Sequence, residues 1–241
     1  MPAKVAILPG VARLQWIAAP FIRALRILRG TVPLRELPTL AWRIARVQRF
    51  VPCPHSLDEI GELARALAVR RSLAGAVVEC GCFKGGSTAR LSLLCESFDR
   101  RLVVFDSFDG LPEPEPWDAE HQIGRPRAFT RGEYSGSLDE VRANVAKYGR
   151  LDRCELVAGW FRDTMPSATP RTIAVAFIDA DLVTSTKDAL EQIWPRLEPG
   201  GIAFVHDTAD AKLDAFLAEW SAHRMPSAQS ARGARFAWFE K

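Results

Sequence analysis

A mostly parallel α/β sheet with helices on both faces is the fold that the sequence predicts, and three observations predict it. From about residue 73, short β-branched runs alternate with helical segments. Several of those runs, such as "IAVAFI", are apolar throughout, as strands buried on both faces must be. The first run, "AVVEC", passes through a glycine-rich turn, "GCFKGG", straight into a helix-forming stretch.

The elements follow in order. Residues 1–50 carry nine Lys or Arg and one acid, Glu36, a net of +8, which leaves the remainder of the chain at −5. The stretch "VARLQWIAAPFIRALRILRG" interleaves Arg with Trp, Leu and Ile, and Pro20 is expected to kink it. An interfacial helix on an anionic membrane has this composition. A helical arm packed on its own body or on a twin subunit has it more often, because apolar residues at helical spacing usually mark protein core. The second reading is preferred, and a homodimer built through the arm is one form of it. The chain is therefore divided into a basic amphipathic helical extension, 1–50, and a main domain, 51–241.

"PHSLDEIGELARALAVRRSLAG" reads as a helix with Ser56 and Glu59 at capping-box spacing. Strands are expected at "AVVEC", "LVVFD", "CELVAG", "IAVAFIDAD" and "IAFVHD". Helices are expected at "TARLSLLCESF", "LDEVRANVAKYG" and "TSTKDALEQIWPRL". "EPGG" predicts a helix stop and turn before the last of these strands, and "ARFAWFEK" an antiparallel closing strand. The Pro-, Gly- and charge-rich segment 109–137 reads as a long loop following a strand's carboxyl end, and so as a lid over a site.

Composition narrows the setting. The five cysteines form no disulfide framework, which suits a reducing cytoplasm. No apolar run is long enough to span a bilayer, and the N-terminus lacks the apolar core and cleavage site of a secretory signal. The basic charge lies away from the acidic strand ends, which disfavours nucleic acid as substrate.

In open parallel sheets, ligands bind beyond the carboxyl ends of the strands. Here those ends carry Glu79, Asp106, Gly159–Trp160, Asp179–Ala180–Asp181 and His206–Asp207. In the opening turn Gly81, Gly85 and Gly86 admit a ligand close to the backbone, and Ser87 or Thr88 starts a helix whose free N–H groups suit an anionic group. Asp106, twenty residues beyond Gly86, stands where a carboxylate conventionally holds ribose hydroxyls. The turn is neither G-x-G-x-x-G nor a P-loop, and the additional acid Glu79 favours a ligand with a cationic part. S-adenosylmethionine, with its ribose, amino-acid end and sulfonium, fits that set. Cys80-x-Cys82 lacks the partner pair that a zinc or redox site needs, so both are read as packing residues. Asp179, Asp181 and Asp207 converge at two neighbouring strand ends and would suit a hard cation such as Mg2+. The bland alternative for Asp181 is that it caps the following helix.

With "VVECGCFKGGST", "FDSFDGLPEP", "YSGSLDEVRANVAKYG", "GWFRDTMP", "IDADLVTSTKDALEQIWPRLEPGG" and "HD" in that order over roughly 50–210, the chain resembles the class I S-adenosylmethionine-dependent methyltransferases. More narrowly it resembles the macrocin O-methyltransferase family, which methylates sugar hydroxyls in antibiotic biosynthesis. The resemblance implies a Rossmann-like, mostly parallel seven-stranded sheet and a small hydroxylated acceptor. It implies that Glu79, Gly81, Cys82, Phe83, Gly85 and Ser87 approach the methionine end of the cofactor. Asp106, Ser107 and Phe108 would approach its ribose, and Ser137, Trp160 and Phe161 its adenine. It also implies metal binding by Asp179, which borders the cofactor, and proton acceptance by Asp181.

Two departures stand out. The family's usual second metal pair, Asp-Asp, is His206–Asp207 here, and Val183 replaces the aromatic that often follows "DADL". Imidazole is a softer ligand than carboxylate, so His206 is either a ligand that changes the preferred ion or a general base. Other readings of the chain are a D-x-D nucleotide-sugar transferase, and a non-catalytic module that keeps the fold to bind a partner.

Overall fold

A computed structural model describes residues 9–118, 120–121, 127–224, 229–232 and 236–241. Three helices precede the sheet: α1 (Pro9–Leu28), α2 (Leu37–Phe50) and α3 (Leu57–Val69). There follow β1 (Ala76–Cys80), α4 (Gly86–Ser97), β2 (Leu102–Asp106) and a short hairpin of β3 (Glu120–His121) and β4 (Arg127–Ala128). The second half runs α5 (Leu138–Tyr148), β5 (Cys154–Ala158), α6 (Phe161–Ala168), β6 (Ile173–Ile178), α7 (Val183–Arg196) and β7 (Leu197–His206). It closes with α8 (Ala211–Arg224), β8 (Gln229–Arg232) and β9 (Phe236–Glu240).

The main sheet has seven strands in the order β5-β2-β1-β6-β7-β9-β8. The first five pair in parallel, and β9 runs antiparallel to both β7 and β8, so it alone is reversed. Chain order reverses between β1 and β6, so the crevice at the carboxyl ends of the strands opens there.

Alternate residues of each central strand feed two different cores, which explains their unbroken apolar character. Val77, Val104, Val175 and Phe177 pack with α1–α5 on one face. Val78, Val103, Phe105, Ala176 and Ile178 pack with α6–α8 on the other. The basic N-terminal segment joins the first core: Ala24 and Leu28 of α1, and Leu40, Ala41, Ile44 and Val47 of α2, are buried with Ile60, Leu63 and Leu67 of α3. α3 opens with the expected capping box, in which Ser56 accepts from the Glu59 N–H and the Glu59 carboxylate accepts from the Ser56 N–H.

Two expectations need correction. "EPGG" is not a turn between helix and strand. α7 ends at Arg196, and Leu197–Gly200 already belongs to β7, entering it through a register shift opposite Ile173 and Val175, with Gly200 at φ +80°. Nor does Asp181 cap α7. The Asp118 carboxylate, from the loop after β2, accepts from the N–H groups of Val183 (3.0 Å) and Thr184 (2.9 Å). That bond docks the expected lid on the sheet, beside a small apolar contact of Leu111, Phe129 and Leu182. Residues 119 and 122–126 of the segment 109–137 lie outside the described residues. Helices α6 and α8 had no counterpart in the sequence reading. α6 is eight residues long and contains Pro166, too short and irregular to show a helical period.

Ile44→Ala removes a fully buried side chain from the seam between the N-terminal helices and the sheet layer. It is expected to lower unfolding free energy by about 2–5 kcal/mol, measured by urea denaturation. A loss below about 1 kcal/mol would mean that α2 is only loosely attached.

Candidate active site

The strand ends converge on a cleft of about 650 Å³. The ends of β1, β2 and β5 supply Gly81, Phe83, Asp106, Ser107, Trp160 and Phe161 to its lining, and the ends of the neighbouring β6 and β7 supply Asp179, Asp181, His206 and Asp207. Side chains in the left-handed region gather here. Phe83 (φ +50°), Tyr134 (+55°), Asp181 (+56°) and Asp207 (+60°) all line the cleft, and Phe108 (+56°) adjoins it. Each such residue costs on the order of 1–3 kcal/mol, which the surrounding packing must hold in place.

The opening turn forms the floor. Gly81 has φ +85°, and a Cβ there would sit 1.8 Å from the Asp179 carbonyl oxygen, so the β1 turn presses directly on the end of β6. Asp106 clamps this turn to its own: its Oδ2 accepts from the Cys82 N–H (2.6 Å) and its Oδ1 from the Phe108 N–H (2.8 Å). Ser107 donates to the Gly110 carbonyl (2.7 Å) and accepts from the Asp109 N–H (3.1 Å).

Glu79 is fully buried inside a strand, where an acid is out of place without a purpose. Its Oε2 accepts from the Thr88 hydroxyl (2.6 Å), and its Oε1 is buried without a hydrogen-bond partner. Burial pushes its pKa up to about 7, against the nearby hydroxyls of Ser87 and Thr88, which favour the charged form. An orphaned carboxylate oxygen under a glycine cradle fits a cationic ligand group. The cysteines are packing residues, as read: Cys80 and Cys82 are buried, free, and held well above the ordinary thiol pKa by burial and then by neighbouring carboxylates.

Beyond the ends of β6 and β7, Asp179 is gripped by two histidines. His55 Nε2 lies 2.8 Å from its Oδ2, and His206 Nδ1 lies 3.2 Å from its Oδ1 and 2.9 Å from Asp207 Oδ1. Short as those distances are, His206 Nδ1 makes no hydrogen bond of acceptable geometry. Its other nitrogen, Nε2, faces Glu59 Oε1 at 3.2 Å. Burial opposes charging of either ring. The carboxylates outweigh it, pushing His55 up to about 10 through Asp179, and His206 up to about 12 through Asp179, Asp207 and Glu59. Asp179 is correspondingly held far below the usual carboxylate range by both imidazoles, against its own burial. Donor atoms of His55, Asp179 and His206 lie within 4.8 Å of one another, close enough to share a metal ion. The orphaned Nδ1 facing two carboxylates fits such an ion.

The structure thus brings ten of the expected site residues to the cleft itself. Glu79, Cys82, Gly85, Ser87 and Phe108 lie in or beside its floor: Cys82 through its N–H, Gly85 as the N-cap of α4 at φ +78°, and Ser87 buried in the first turn. Ser137 caps α5, accepting from the Glu140 N–H at 3.2 Å, and does not line the cleft. Sequence reasoning missed His55 and Asp118. His55 stands 124 positions from Asp179, and no spacing rule could have joined them. The one signal was its place just before the capping box, since that box holds Glu59 against His206.

Comparison with known proteins follows this geometry. The family model described as Macrocin-O-methyltransferase (TylF) matches residues 54–227. The 8-demethyl-8-(2,3-dimethoxy-alpha-L-rhamnosyl)-tetracenomycin-C 4'-O-methyltransferase of Streptomyces olivaceus is 39% identical over 188 residues, covering 75% of this chain and 68% of that protein. The mycinamicin III 3''-O-methyltransferase of Micromonospora griseorubida is 31% identical over 180 residues, covering 71% and 67%. Among solved structures, the O-methyltransferase NovP superposes with a TM-score of 0.67 at 22% identity, covering 93% of this chain and 99% of that one, which speaks for the fold.

Two measurements test the geometry. Because the folded state holds a proton on Glu79 up to about pH 7, stability is expected to fall as pH rises from about 4.5 to 7 and to level off above it. Glu79→Gln should flatten that segment of a urea-denaturation pH series; an unchanged slope would remove Glu79 as its source. Asp118→Ala should cost about 1 kcal/mol through the lost cap and speed limited proteolysis within 109–137. Unaltered cleavage would mean that the loop is held elsewhere.

Proposed function

The chain belongs to the macrocin O-methyltransferase family and is an S-adenosylmethionine-dependent O-methyltransferase; we propose that its acceptor is a sugar hydroxyl on a small natural product. The observation that carries the reading is that the glycine turn after β1, with Gly81 and Phe83, and the acidic rim, Asp179–Asp181 with His206–Asp207, line one and the same cleft. The tetracenomycin relative is named for a rhamnosyl compound, which supports the acceptor class.

Bound over the β1 turn, S-adenosylmethionine supplies an activated methyl group. Glu79 lies where its unpaired Oε1 can answer the ammonium of the methionine end, and Asp106 lines the cleft where its carboxylate can meet ribose hydroxyls. Trp160 and Phe161 offer apolar surface for the adenine. Asp181 is the residue we assign to receive the acceptor's proton. His206 is poorly placed for that task, since Nε2 is committed to Glu59 and Nδ1 is turned into the Asp179–Asp207 pair. A divalent cation held by Asp179, His206 and Asp207 would lower the pKa of the acceptor hydroxyl and bring it within range of a carboxylate base. The cleft walls fix the angle at which the oxygen meets the methyl, and such positioning supplies much of the acceleration in group transfer.

The acidic rim supports a neutral or cationic small acceptor over nucleic acid. Ile22 and Trp42 remain exposed on α1 and α2, and we take them as part of a homodimer face in preference to a membrane contact. No helix among the described residues is long and apolar enough to cross a membrane, and the five free cysteines support a reducing cytoplasm.

Adenosylhomocysteine is expected to bind the purified protein in a calorimetric titration, and failure to bind would sink the reading. Asp181→Asn should keep that binding and lose roughly 10²–10⁴-fold in methyl transfer to a deoxysugar glycoside. Undiminished turnover would take Asp181 out of the proton path.

A further inference from the structure

We propose that His55, from the segment between α2 and α3, is a ligand of the rim metal together with His206 and Asp179, and that this recoded site selects a borderline first-row ion, Mn2+ through Zn2+, over Mg2+. The inference deepens the methyltransferase reading of the same cleft and rests on it in treating the rim as a metal site. Nothing in the residues 179–181 or 206–207 alone announces it, because His55 enters from a different layer of the fold.

Three features carry it. The first is position: His55 Nε2 and His206 Nδ1 approach opposite oxygens of the same carboxylate, at 2.8 Å and 3.2 Å, with the donor atoms of all three residues inside 4.8 Å. Ligand atoms about 2.1 Å from a shared ion lie roughly 3 Å apart, as each imidazole nitrogen does from the Asp179 oxygen it faces. The second is the orphaned nitrogen. His206 is 3% exposed, and its Nδ1 is buried without a hydrogen bond while facing Asp179 and Asp207. With Nε2 directed to Glu59, Nδ1 faces two carboxylates, and a cation bound there can take the place of the proton that otherwise pairs the ring with them.

The third is the support behind each ring. Metal-bound imidazoles characteristically donate their other nitrogen to a carboxylate or similar acceptor, which fixes tautomer and orientation. Glu59 fills that place for His206, and Glu59 is itself held by the Ser56 N–H of the capping box. Behind His55, Nδ1 lies 3.4 Å from Cys53 Sγ. The two rings stand nearly perpendicular, 87° apart at 4.8 Å, and Phe177 packs edge-on against His55 at 5.0 Å. They are aimed, not merely near. Mg2+ favours an oxygen shell and holds its waters, whereas two imidazoles with one or two carboxylates match Mn2+, Fe2+, Co2+, Ni2+ or Zn2+.

The experiment uses the full chain stripped with EDTA and titrated with Co2+. One equivalent is expected to bind and to develop visible d–d absorption, X-ray absorption should count two imidazole ligands, and a hundredfold excess of Mg2+ should leave the spectrum in place. His55→Ala should weaken Co2+ binding roughly tenfold or more. His55→Asp, which restores an oxygen donor, should bring Mg2+ into competition. Absence of the band, an imidazole count of one or none, or displacement of Co2+ by equimolar Mg2+ would overturn the inference, and the wild-type spectra decide it even where a variant fails to fold. Adenosylhomocysteine binding by the same stripped protein reports separately on the methyltransferase reading: its retention beside a missing cobalt site would refute the metal inference alone.

Discussion

Asp179 is the point on which the functional half of the molecule depends. It directly follows the central strand β6, its carbonyl oxygen presses against Gly81 of the glycine turn, and its carboxylate is held between His55 and His206. Three layers of the fold therefore meet in one residue: the N-terminal helical layer through His55, the sheet through β6 and β7, and the glycine turn through Gly81. A buried carboxylate is costly unless it is paired and hydrogen-bonded. Satisfying it fixes the relative positions of these strand ends, which a methyl donor and an oxygen acceptor must span with little tolerance.

The same constraint accounts for where strain is kept. The turns that carry Phe83, Asp181 and Asp207 adopt left-handed backbone at non-glycine residues, and all follow strands whose carboxyl-terminal halves are buried. Glycine would relieve that strain but would give up the side chain. Two rigid cores, one on each face of the sheet, hold these turns in place. Asp118 adds a brace from above by capping α7 directly behind Asp181. The loop after β2 is thus tied, through Asp118, to the helix that follows the proposed base.

Much of this was legible in the sequence, for identifiable reasons. Strands buried on both faces leave unbroken apolar runs, and "IAVAFI" could hardly have been anything else. The glycine turn, Glu79 and Asp106 were readable because strand ends in a parallel sheet share one rim, so the order of elements alone collects their side chains there. What escaped has the opposite character. Asp118 reaches its partners across 65 and 66 positions and His55 across 124, from a loop and from a linker with no periodicity of their own. "EPGG" misled because a proline and two glycines mark a break in regular backbone without saying whether the break lies between elements or within one.

The His206 substitution in the expected Asp-Asp pair illustrates how a local departure is made tolerable by distant residues. An imidazole placed alone among carboxylates would either stay charged or turn a lone pair toward negative oxygens. Here Glu59 takes one nitrogen, and Glu59 is available because the α3 capping box fixes its side chain. His55 then balances Asp179 from the other side. The exchange of a carboxylate for an imidazole at position 206 is therefore not a change at one site. It draws on a helix cap and a linker histidine on the opposite layer, and replacing His206 by Asp without altering Glu59 would set two acids against each other in a buried place. The chemistry of the rim and the packing of the N-terminal helices have become one problem with one solution.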